Sequence, residues 1–234
     1  MYLLCAENIT CGYDTIDILT DCNINVKKGE ISSIVGPNGA GKSTAMKAIF
    51  GLLPTKKGKI IFDGEDISNL QPQERVVRGM GYVPQTNNIF TSLTVIENLE
   101  MGAFIINKDF KNMIEYVFNL FPVLKDKQNQ PAGELSGGQR QQVAVGRALM
   151  TNPKILMLDE PSAGVSPIIM EGLFNKIKEI SSQGTGVIMV EQNAKQALEI
   201  SNMGFVLNQG KNLYTDAGIT LLANKEVRQA FLGG

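Results

Sequence analysis

The 234-residue chain contains no histidine. Imidazole is the side chain that most readily moves protons near neutral pH, so whatever chemistry occurs here proceeds without one. Cysteine is scarce, with three residues at positions 5, 11 and 22. Three cannot all pair and they bracket no metal-ligand cluster, so the expectation is reduced thiols in a cytosolic protein. An excess of either charge is also missing. The net charge is −1, which leaves no basic field to hold nucleic acid and no acidic tail to keep a segment disordered. Apolar runs end after a handful of residues, far short of the ~20 that a bilayer-crossing helix needs. The opening "MYLLCAENIT" lacks the basic start and longer apolar region of a secretory signal. Together these absences predict a soluble intracellular protein, long enough to bury a substantial core.

What is present alternates between two patterns. Apolar runs at Ile31–Val35, Met80–Val83, Ile155–Leu158 and Val187–Val190 read as buried strands, and amphipathic helical stretches separate them. This predicts an α/β fold with a largely parallel sheet covered by helices. "YLLCAENIT", "IDILTDCNINV", "GKIIFDG" and "GFVLNQGKNLYTD" read instead as strands joined by turns, an antiparallel layer against the parallel sheet. Between Asn87 and Leu135 the pattern turns helical and more polar. Thr94 and Glu97 form a capping box that opens one helix, and a second is expected from Asp109 to Phe121, ended by Pro122.

"GPNGAGKST" spans Gly36, Pro37, Asn38, Gly39, Ala40, Gly41, Lys42, Ser43 and Thr44, between a predicted strand and a predicted helix. That context is what a phosphate-binding loop requires. Glycines at 36, 39 and 41 allow backbone conformations closed to other residues, so successive N–H groups can surround phosphate oxygens. The helix N-terminus adds partial positive charge. Lys42 would reach the β- and γ-phosphates, and the Ser43 hydroxyl would ligate Mg²⁺. Downstream, "KILMLDEP" carries four apolar residues into Asp159 and Glu160, and a proline then stops the strand. Open α/β sheets place their sites at such carboxyl ends. Asp159 would hold Mg²⁺ through its waters, and Glu160 would polarise the water that attacks the γ-phosphate.

"LSGGQ" begins at Leu135. Ser136 and Gln139 fit another capping box, but that does not explain Gly137 and Gly138, because each glycine costs a helix ~1 kcal/mol relative to alanine. Bare N–H groups at a helix start would let a second phosphate approach. The chain then carries two phosphate-facing devices about a hundred residues apart, which one nucleotide can bridge only between two subunits.

These motifs, in this order, resemble the ATP-binding cassette family over essentially the whole chain. The resemblance implies a P-loop NTPase core over residues 1–86 and 150–234, with an antiparallel β subdomain, and a helical subdomain over 87–149 that carries the signature. It implies ATP and Mg²⁺ as cofactors and ATP hydrolysis as the activity. Tyr13 would stack on adenine, though a surface tyrosine in a turn fits the same sequence. Gln85 of "YVPQ" is similar to the family's glutamine loop, which contacts Mg²⁺ and the γ-phosphate; a polar residue after a proline turn is the simpler alternative. "YVPQTNNIFTSLTVIENLEMGA", "VEQNAKQALEI" and "VRQAFLGG" are similar to the ATPase subunits of branched-chain amino-acid importers. Importers of urea or other amides and the lipopolysaccharide-export ATPase have similar chains. The implied partners are transmembrane permease subunits docking near Asn87 to Leu93, a second ATPase subunit in a homo- or heterodimer, and indirectly a substrate-binding protein. No nucleic acid is implied, although soluble cassettes of DNA repair or ribosome work are a competing class. A non-hydrolytic nucleotide sensor is another. The implied location is the cytoplasmic face of the plasma membrane.

Two positions depart from the family pattern. Ser166 of "SAGVSP" stands where an aspartate is usual, and Gln192 of "VEQN" stands where a histidine is usual. A glutamine amide can donate to a γ-phosphate oxygen but cannot carry charge or move a proton. Gln192 would therefore position, and Glu160 alone would act as base. The alternative is a solvated Gln192 capping the helix at Asn193.

Overall fold

The computed structural model describes residues 1–105 and 110–231. Three strands open the chain: β1 (Leu4–Tyr13), β2 (Ile16–Val26) and β3 (Ile31–Val35). Helix α1 (Lys42–Phe50) leads to β4 (Thr55–Phe62), β5 (Glu65–Asp66), α2 (Pro72–Val77) and β6 (Met80–Val83). A helical stretch follows with α3 (Val95–Gly102), α4 (Lys111–Leu120), α5 (Pro122–Asp126) and α6 (Gly137–Leu149). Strand β7 (Ile155–Asp159), α7 (Pro167–Ser182), β8 (Gly186–Val190) and α8 (Ala194–Glu199) come next. Then come β9 (Met203–Asn208), β10 (Lys211–Asp216), α9 (Gly218–Ala223) and α10 (Lys225–Phe231).

Three of the four apolar runs become the sheet centre as β3, β7 and β8, and the fourth forms its edge strand β6. A six-stranded sheet has the order β10-β9-β3-β8-β7-β6, parallel from β9 to β6. All five residues of β3, β7 and β8 are buried, because helices or strands cover both faces. Successive side chains divide between those faces. Leu156, Leu158, Val187 and Met189 pack among α3, α4, α6 and α7. Ile155, Met157, Ile188 and Val190 pack with α1 and the antiparallel layer. That layer has the order β2-β1-β4-β5.

The hairpin "GFVLNQGKNLYTD" is a correction to the sequence reading. Strand β9 pairs in parallel with β3, and β10 closes the edge of the same six-stranded sheet. Gly204 to Leu207 are all buried, and a run apolar on both faces belongs inside a covered sheet. The hairpin still ties the two layers together: Asn23 N–H donates to Asn212 Oδ1 at 2.7 Å, and Thr20 N–H donates to Gly210 O at 2.9 Å.

In the helical stretch, Thr94 caps α3. Its N–H donates to Glu97 Oε2 at 2.8 Å while its Oγ1 accepts from Glu97 N–H at 3.3 Å. Pro122 does follow the end of α4, and it also occupies the first turn of α5, where its missing N–H leaves no bond unmade. Asp109, the expected start of α4, lies outside the described residues. No helix among the described residues is long and apolar enough to cross a membrane.

Candidate nucleotide site

The loop between β3 and α1 adopts the conformation its glycines permit. Gly36, Gly39 and Gly41 have φ of 147°, 78° and 97°. At Gly36 a Cβ would lie 2.1 Å from Leu207 O of the neighbouring strand, so no other residue fits. Ala40 is buried in the core behind the loop, while Pro37 and Asn38 are exposed at its tip. Lys42 is 6% exposed, and its Nζ donates to Gly36 O at 2.9 Å and Pro37 O at 3.1 Å. Burial lowers its pKa, opposed by the charges of Glu160 and Asp159.

The end of β7 meets this loop. Ser43 Oγ donates to Asp159 Oδ1 at 3.0 Å, and Tyr82 from β6 approaches Oδ2 at 3.4 Å. Burial raises the Asp159 pKa, the Ser43 hydrogen bond opposes that, and the charge of Glu160 adds to the rise. Glu160 follows with φ +51°, a left-handed conformation that costs a residue with a β-carbon about 1–2 kcal/mol. Two amides converge on one of its oxygens. Gln85 Nε2 donates to Oε2 at 2.6 Å and Gln192 Nε2 at 2.8 Å. The other oxygen, Oε1, accepts no hydrogen bond from the described residues, and Glu160 lines a cleft of about 440 Å³. Tyr13, Asn38, Gly39, Gly41, Lys42, Ser43, Thr44, Gln85, Glu160 and Gln192 line that cleft. Gln192 does not cap α8; Asn193 does, accepting from Gln196 N–H at 3.2 Å.

The signature residues lie elsewhere. Ser136, Gly137, Gly138 and Gln139 open α6, do not line the cleft, and form the expected box. Ser136 N–H donates to Gln139 Oε1 at 3.1 Å, and Gln139 N–H to Ser136 Oγ at 3.4 Å. The two glycines differ. A Cβ on Gly138 would sit 2.4 Å from Ile169 Cγ2, so packing against α7 already requires glycine there. Only Gly137 is left with its Cβ position nearly open, 3.4 Å from Gly164 O.

Three supports carried no sequence signal. Arg75, 1% exposed, donates to Ala48 O, Ile49 O, Ser68 O and Leu70 O and so closes the C-terminus of α1. Burial lowers its pKa to about 10. Tyr82 is the second. The third is Glu191, whose carboxylate accepts from Ser162 N–H at 3.0 Å and Ser162 Oγ–H at 2.7 Å. Each includes a partner at least 26 residues away in sequence, which spacing does not reveal.

An oxygen-rich pair beside a glycine loop suits a hard cation. Ser43 and Asp159 offer two oxygens, and Mg²⁺ is ordinarily held by one or two protein oxygens with phosphates and water supplying the rest. No larger group of acidic or thiol ligands exists among the described residues.

Comparisons place this geometry among known proteins. The ABC transporter family profile matches residues 19–163, more than half the chain. The high-affinity branched-chain amino acid transport ATP-binding protein BraG of Pseudomonas aeruginosa is 41% identical over 233 residues, covering 99% of this chain and all of BraG. The lipopolysaccharide export system ATP-binding protein LptB of Haemophilus influenzae is 35% identical, covering all of this chain and 98% of LptB. A crystal structure of the ADP conformation of MJ1267, an ATP-binding cassette of an ABC transporter, superposes with TM-score 0.87 at 31% identity over the full length of both chains. With the phosphate loop, the acidic strand end and the signature each in place on this fold, the chain belongs to the ABC transporter family as one of its ATP-hydrolysing cassettes.

Proposed function

We propose that the chain hydrolyses MgATP through Glu160 and drives import of branched-chain amino acids through partner membrane subunits. The observation that carries the hydrolytic part is the seat of Glu160 in the cleft beside Lys42, with one oxygen held by two amides and the other accepting no hydrogen bond from the described residues. Lys42 and the loop N–H groups bind and orient the phosphates, and Tyr13 supplies a face for adenine. Ser43 and Asp159 would hold Mg²⁺, which neutralises phosphate charge when bound. Glu160 takes the proton of the attacking water at Oε1. Gln85 and Gln192 fix the carboxylate, and neither can carry the proton. Because Ser136 to Gln139 stand outside the cleft, they serve a nucleotide on a second cassette, with Gly137 N–H as the closest approach. Residues 87–149 then act as a subdomain that receives the membrane subunits.

The cargo reading rests on the full-length similarity to BraG. Similarity to LptB over the same length keeps lipopolysaccharide export as the second reading. Uptake of labelled leucine by cells carrying a chromosomal Lys42→Ala substitution separates them. Loss of uptake at normal protein level is the expected result. Normal uptake would break the amino-acid assignment and direct the search to lipid export.

A further inference from the structure

We propose that Glu191 is a positioning residue for Glu160, acting as a brace between the loop that follows the base and the segment that carries Gln192. The inference rests on the assignment of Glu160 as the base made above.

Strand pairing between β7 and β8 ends at Asp159 and Val190. Beyond that point the two chains stay joined by three further links. Glu160 N–H donates to Val190 O at 2.9 Å. Gln192 Nε2 donates to Glu160 Oε2 at 2.8 Å. Between them, both oxygens of Glu191 are taken by Ser162, one by its N–H and one by its hydroxyl. The Glu191 backbone N–H also donates to Ile34 O of β3, the strand that delivers the phosphate loop. Glu191 thus stands where three chain segments of the site meet.

Three features favour positioning over simple filling of space. The side chain is 1% exposed, and a buried carboxylate is tolerated only when its oxygens are satisfied. Burial raises its pKa, the hydrogen bonds from Ser162 and the Gln192 backbone oppose that rise, and the charge of Glu160 adds to it, so burial without those bonds would favour an apolar residue here. Both of its oxygens are held by Ser162, two residues after a Glu160 in a left-handed conformation that its own sequence does not favour, and the Gln192 backbone adds a further bond. Fixing Ser162 from one side and Val190 O from the other leaves the Glu160 backbone little freedom to relax. The brace therefore sets where Oε1 points and how the chain proceeds from Glu160 towards Ser166.

The test measures phosphate release by the purified full-length chain, with kcat and KM for ATP separated, for Glu191→Ala, Glu191→Gln, Ser162→Ala and the Glu191→Ala/Ser162→Ala pair. Misplacing a reacting group by about an ångström costs on the order of a hundredfold. Glu191→Ala should accordingly lose about 10- to 100-fold in kcat with KM within about twofold. Glutamine can accept from the Ser162 N–H and donate to its oxygen, so Glu191→Gln should retain kcat to within about threefold of wild type. Ser162→Ala should slow turnover several-fold alone and add nothing to Glu191→Ala.

Wild-type kcat in Glu191→Ala, equal losses in the Ala and Gln variants, or additive effects in the pair would each overturn the proposal. If Glu191→Ala fails to fold, wild-type kcat in Ser162→Ala overturns it instead. Glu160→Gln run alongside keeps the two claims apart. Retained turnover there refutes the base assignment, whereas an inactive Glu160→Gln beside a fully active Glu191→Ala removes the brace alone.

Discussion

The substitution Gln192→Ala tests the division of labour at this site. The Gln192 amide donates to the Glu160 carboxylate at 2.8 Å, and Gln85 donates to the same oxygen at 2.6 Å. A hydrogen bond to a charged group is worth about 1.5–3 kcal/mol. Losing one of two such donors therefore predicts a fall in kcat of about 10- to 100-fold if the bond persists to the transition state. Nucleotide affinity should hold, because the loop at 36–44 is unaffected. The assay is phosphate release as a function of ATP concentration and pH. The companion variant Gln192→His adds a group titrating near ~6.5 to a chain that has no histidine. Its kcat profile should gain an inflection in that region that the wild type lacks. A Gln192→Ala enzyme within about twofold of wild type in kcat would mean that Gln192 does not hold Glu160 during turnover and is only a solvated side chain.

Other consequences follow from groups the motifs did not announce. Arg75→Met removes the donors to four backbone carbonyls, each buried acceptor being worth about 1–3 kcal/mol when left unpaired. The expected loss after partial relaxation is ~2–4 kcal/mol, read as a fall in Tm on the order of 10 °C by calorimetry. Glu191 gives a pH prediction. Burial raises its folded-state pKa above the unfolded value, so its contribution to stability is fully present below the unfolded pKa and is lost as pH rises through the folded one. Glutamine mimics the protonated form. The Tm of Glu191→Gln relative to wild type should therefore rise as pH increases from about 4 to 8, and a pH-independent difference would contradict the burial argument.

Much of this architecture is legible in the sequence, for physical reasons. β3, β7 and β8 are apolar on both faces because both faces are covered, so their runs stand out. The capping boxes at Thr94 and Ser136 are local, with both partners within four residues, and local chemistry reads directly. The hairpin β9–β10 was less legible: its turn is local, but the sheet it joins depends on what β3 offers as a neighbour. Gly138 shows a motif residue whose need for glycine is met by Ile169 across a helix interface, which spacing alone does not indicate. Glu191 and Arg75 show the same limit in the opposite sense. A lone acid or base in a sequence carries no mark of the serine or the carbonyls it will meet, so the supports of the site emerge only in three dimensions.

Glu160 is proposed as the base of an ATP hydrolase that works without histidine. The most direct measurement is phosphate release by Glu160→Gln, with binding of a fluorescent ATP analogue measured on the same preparation. Turnover should fall by about 10²- to 10⁴-fold, the usual contribution of a general base, with nucleotide binding unchanged. Turnover near the wild-type rate with binding intact would contradict it and place the base elsewhere.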